Sequence, residues 1–207
     1  MNMSSGQGTK ATMVHTTTPP KWHSLSHHDR YRRLQTVTRV WCRCHYGKHA
    51  DISGRTIYLD GAWINDIPSF YLSLGEAING PNGYFGGGLD ALSDCLCGHF
   101  GILPPLTIRL SHYDEVRKAL DGRARCRWRA ESFQKVAGDE SVEQLVDWGY
   151  FVDGSEEDAA RWTAIYEAAF AGQPFDANEF GSYFDALLEE FERGGARLIP
   201  ENEGANG

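Results

Sequence analysis

The chain has 207 residues, a formal net charge of −8, and is 41% hydrophobic and 12% aromatic. That suits one domain with a genuine core and an appendage. No run approaches the roughly 18 apolar residues of a membrane span, and no apolar core of signal-peptide length follows the N-terminus, so the reading is a cytoplasmic protein with no membrane partner.

Residues 1–28 are rich in Thr, Ser, Gly and His and read as a disordered tail. Residues 29–54 form a basic N-terminal extension. Its β-branched and aromatic residues, in "RYRRLQTVTRVWCRCHYGKH", suggest one strand. Residues 1–50 hold eight Lys/Arg and a single acid, Asp29, which leaves a net charge of −15 for residues 51–207. A body this acidic repels nucleic acid and attracts a cationic protein surface.

"TIYLDGAWI" (56–64) reads as a strand that bends at Asp60-Gly61. A helix follows from about Pro68 to Asn79, stopped by Gly80, Pro81 and Gly83. Its apolar positions fit one helix face only loosely. A second helix starts at Gly88 or Leu89 and ends at Gly98. On it Leu89, Leu92, Cys95 and Leu96 make a stripe toward the core. "PPLTIRL" (104–110) reads as a buried strand, and 111–120 as a helix with Ser111 as its N-cap. Residues 121–175 read as a helical insertion, clearest over 155–172, whose aromatics pack on the same domain. A helix over 176–195, a strand over 196–200 and a disordered tail over 201–207 close the chain. Strands separated by helices predict an α/β domain with a small parallel sheet.

Cys42, Cys44, His45 and His49 have the residue types of a zinc site, but the Cys pair is one residue too close and no loop separates the two ligand pairs. No metal and no cofactor is expected. No phosphate loop and no catalytic triad order is present, so the chain reads as a non-enzyme. A Cys/His metal module or an enzyme remains the alternative of another class, with Cys95 and His99 as its thiol and base at i, i+4. The five cysteines form no disulfide framework and read as reduced thiols.

The informative stretch is "GYFGGGLDALSDCLCG" (83–98). Asp90 and Asp94 stand four residues apart on one helix face, where like charges cost a few tenths of a kcal/mol. An arrangement that opposes folding points to a partner outside the chain.

Tyr84, Phe85, Gly86, Leu89, Asp90, Ala91, Leu92, Asp94, Leu96 and Gly98 stand in the order that marks the barstar family of intracellular ribonuclease inhibitors. The chain resembles that family over about 55–120 and 178–200. The resemblance implies a three-stranded parallel sheet packed against helices. It also implies an acidic helix that plugs the active site of a small basic bacterial ribonuclease, one to one, with its carboxylates in place of phosphates. Asp94 would be the central mimic and Asp90 its neighbour. Tyr84 would be the aromatic anchor, with Gly88, Leu89, Ser93, Gly98 and His99 as contacts around them. Glu190, or Glu189 if the register slips by one, would add a further acid. Ser93 and His99 stand where the family pattern has aromatic residues, and Gly87-Gly88 replace a larger polar pair, which loosens the loop. An immunity or regulatory module of the same fold, for a different cationic toxin, is the alternative.

Overall fold

The computed structural model describes residues 18–48, 50–137 and 181–202, with isolated positions at 160, 164, 168 and 173. Three parallel strands form the main sheet: β2 (Thr56–Leu59), β4 (Leu106–Leu110) and β5 (Ala196–Pro200), in the order β2-β4-β5. Thr56 pairs with Thr107, and Leu106 with Ala196. The strand alternation puts Ile57, Leu59, Leu106, Ile108, Leu110, Ala196 and Leu198 into the core. A smaller parallel pair, β1 (Ile52–Ser53) with β3 (Ile102–Leu103), leads into this sheet.

Helices α2 (Ile67–Asn79), α3 (Leu89–Leu96), α4 (Tyr113–Ala119), α5 (Gly122–Ala137) and α6 (Tyr183–Arg193) make the crossovers. The α/β architecture with a three-stranded parallel sheet is the one expected. The expected bend after β2 is a turn of 3-10 helix over Gly61–Trp63. Helix α4 departs from the expectation at its start. It begins at Tyr113, not after a Ser111 cap. The Ser111 hydroxyl instead accepts the Gly61 N–H at 3.0 Å, tying the end of β4 to the turn after β2. Ser182 caps α6, its hydroxyl accepting the N–H groups of Phe184 and Asp185. Of the expected helix over 155–172 only Ala160, Ala164 and Ala168 are described, all three helical, and residues 176–180 fall outside the described residues.

The extension is not a strand. Residues His27–His45 form a 19-residue helix, α1, capped by the Ser26 hydroxyl. Tyr31, Leu34, Val37 and Trp41 are buried at helical spacing. Thr36 and Thr38, which suggested a strand, donate their hydroxyls to the carbonyls of Arg32 and Leu34 four residues back. The first residues are not all tail either, because Trp22 is buried in the core. Helix α1 packs on α2 and covers the side of it turned away from the sheet. That explains the loose apolar face of α2. Buried between two layers, it hides Ile67, Phe70, Tyr71, Leu72, Leu74 and Ile78 all round its axis.

The turn after α2 returns closely over it. A methyl group on Gly75 would run into the Gly83 carbonyl, and one on Gly83 into that of Gly75. Gly75→Ala should therefore cost about 1–2 kcal/mol net, overpacking outweighing alanine's better helix propensity. A lower urea midpoint at unchanged slope would show it, and a raised midpoint would refute the close packing.

Candidate functional site

Helix α3 packs on α6, and the loops at its two ends meet α1. It opens at Gly88 with no side-chain cap, and Leu92, Cys95 and Leu96 fix it in the core. Leu89 is half-buried against that core. The register leaves Asp90 and Asp94 exposed on the outer face, with Ser93 half-buried between them. Among the described residues neither aspartate side chain makes an ion pair or hydrogen bond. Asp90, in the first turn, gains from the positive end of the helix dipole; Asp94, in the last turn, faces the negative end. Asp94 is thus the carboxylate that folding uses least.

The loop after α3 is clamped. The Asp51 carboxylate accepts the N–H of His99 at 2.8 Å and of Gly101 at 2.9 Å. His99 holds φ +72°, with its side chain exposed beyond the helix. Gly98 is buried beneath this clamp, where a Cβ would lie 3.1 Å from Asp51 Oδ2. A Cβ on Gly87 would lie 3.5 Å from Thr38 Oγ1 of α1, and one on Gly88 4.0 Å from Trp128 Nε1 of α5. The glycine loop thus runs past both α1 and α5.

Tyr84 is not on the surface. It is 4% exposed, its ring 6.0 Å from Trp41 of α1 and 5.9 Å from Phe100. Burial pushes its hydroxyl pKa well above the ordinary range. Glu190 is also buried. Arg193 donates to one of its oxygens, and its Oε1 is buried without a partner among the described residues. Glu189, beside it, is exposed. Of the residues singled out in the sequence, the structure thus gathers Asp90, Ser93, Asp94 and His99 on one accessible face. It places Tyr84, Gly98 and Glu190 beneath it. Sequence reading missed the contribution of α1 to this face. The signal was its Tyr31-Leu34-Val37-Trp41 spacing.

Two other chemistries find no support. Cys95 is fully buried, and burial raises its thiol pKa far above the usual range, so it is a neutral core group and not a nucleophile. Cys42 and Cys44 are exposed, two apart on a helix, and so point in different directions. Among the described residues no three His, Cys, Asp or Glu side chains are placed to hold a metal ion. Among them, too, no helix is long and apolar enough to cross a membrane.

Residues 54–146 match the family model described as barstar (barnase inhibitor). That stretch of the chain is similar to the barstar family. The matched stretch includes the strands β2 and β4, with α2 and α3 between them, while α6 and β5, which complete the three-stranded sheet, follow it. No curated protein and no solved structure matches the chain. The matching family is one of inhibitors, and its description names a protein partner, barnase.

Proposed function

We propose that this chain is a barstar-like, cytoplasmic bacterial inhibitor that blocks a small basic ribonuclease, one to one, through the outer face of α3. The observation that carries the reading is the pair Asp90 and Asp94: exposed, adjacent on a fixed helix, and without an internal partner. A ribonuclease site binds phosphates and so presents Arg, Lys and His. Carboxylates held at fixed spacing take the place of those phosphates, with bidentate Arg contacts as the strongest form. Asp94 is the central mimic and Asp90 its neighbour. Ser93 and His99 shape the contact around them, and Glu189 or Glu190 borders it. The acidic body accelerates encounter, so association slows as salt rises.

The burial of Tyr84 favours a second reading within the same class, an immunity module for a cationic toxin other than barnase. Calorimetry of the protein against barnase and other small basic ribonucleases tests both. A 1:1 complex that a saturating nucleotide competitor prevents supports active-site mimicry. A 1:1 complex that persists under nucleotide sinks the mimicry, because α3 would then dock elsewhere.

A further inference from the structure

The last turns of α1 reach both loops that flank α3. Trp41 covers Tyr84 before the helix and stacks on Phe100 after it, at 5.5 Å and 17°. Beyond the end of α1, the Gly47 N–H donates to the His99 carbonyl at 3.3 Å. Tyr46 leans on His99 and Phe100, with centroids 5.8 and 5.3 Å away. Yet Tyr46 keeps 55% of its surface exposed. It is a large ring, positioned by two neighbours, next to a residue of the α3 face.

The outer face of α1 carries Arg32, Arg39 and Arg43 at positions that align along the helix, all exposed. Asp29, in the first turn, is in line with them, and no carboxylate follows it on that face; none of the three arginines forms an ion pair among the described residues. The chain thus carries carboxylates on α3 and guanidinium groups on the outer face of α1.

Resting on the functional reading above, we propose that the C-terminal half of α1 is part of the docking surface. Tyr46 takes the anchoring role that buried Tyr84 cannot fill. Arg39 and Arg43 select a ribonuclease that carries carboxylates beside its cationic active site. Aromatic anchors at the border of a charged patch are the usual hot spots of protein interfaces, and specificity comes from what the border repels as well as from what it attracts.

The test uses the full chain against barnase and a panel of other small basic ribonucleases, by RNA-cleavage titration and stopped-flow association. For the enzyme the parent inhibits, Tyr46→Ala weakens inhibition by at least about tenfold. The double variant Arg39→Glu, Arg43→Glu slows association, although it makes the chain more negative. Long-range steering by net charge alone gives the opposite sign. Both variants change exposed side chains, and thermal melting confirms that they fold. Unchanged inhibition by Tyr46→Ala, or faster association of the double variant, overturns the inference and leaves the functional reading intact. Failure of the parent to inhibit any enzyme of the panel, or full inhibition by Asp94→Ala, overturns the reading and this inference with it.

Discussion

Asp94→Ala raises the inhibition constant for the target ribonuclease at least about 30-fold, the equivalent of about 2 kcal/mol for a central residue of an interface. The position of the carboxylate is the reason. It is exposed on the outer face of α3, in the last turn, four residues from a second acid, with no partner among the described residues. Nothing in the fold draws on its charge. Removing it should therefore leave the melting temperature unchanged or slightly raised, because both the like-charge pair and the unfavourable dipole contact disappear. Loss of inhibition together with retained stability is the signature of a binding carboxylate. A variant that melts much lower would mark Asp94 as a structural residue, and unchanged inhibition would remove it from the interface.

Asp66→Ala destabilises the protein by about 3–5 kcal/mol, the range for breaking one side of a buried ion pair. Asp66 is the N-cap of α2 and accepts the Ser69 N–H at 2.8 Å. Arg30 of α1 donates to it through Nε at 3.0 Å and Nη2 at 2.6 Å, and His27 Nδ1 lies 2.8 Å away. The other His27 nitrogen meets Glu131 of α5 at 2.7 Å. Three helices are joined there by side chains that are mostly buried. Asp66→Asn separates the roles, keeping the cap and losing the charge. It should fall between parent and alanine in a urea titration, and equality with the parent would contradict the ion-pair account.

The same network sets a pH window. Burial alone would lower the pKa of His27, but its hydrogen bonds to Asp66 and Glu131 outweigh that and raise it from 6.5 to about 9. A raised folded pKa gives stability that is complete below 6.5 and is lost as pH climbs through about 9. Burial alone would raise the pKa of Asp66, yet bonds from His27, Arg30 and Ser69 hold it well below the usual 3.8. That contribution is complete above 3.8 and is lost only as pH falls toward the depressed value. Stability from the network is thus greatest between about pH 4 and 6.5 and declines toward pH 9. His27→Gln should flatten the alkaline decline in melting temperature. An unchanged slope there would show that His27 is not the group that titrates.

The α3 region was legible in the sequence because its signals are local. Gly88, the Leu92-Cys95-Leu96 stripe and Gly98 set the helix, and the helix alone sets the direction of Asp90 and Asp94. Strands β4 and β5 were legible for the same reason, as short apolar runs between breakers. Helix α1 was not, because Thr36, Val37, Thr38 and Val40 favour a strand by propensity. What decides the issue is tertiary: Leu34, Val37 and Trp41 gain a surface on α2 and on the 84–100 segment that the sequence does not display. The misplacement of Tyr84 follows from that. An aromatic beside the acidic helix reads as an exposed anchor until a Trp41 is found lying over it. Glu190 is a matter of one residue in register, since on α6 a single step separates the buried face from the exposed Glu189.

The most direct test of the central claim is an RNA-cleavage titration of a small basic ribonuclease with the full-length protein. The account predicts a linear loss of activity to an endpoint at one inhibitor per enzyme. Cleavage that persists at micromolar protein across barnase and its small basic counterparts would contradict it.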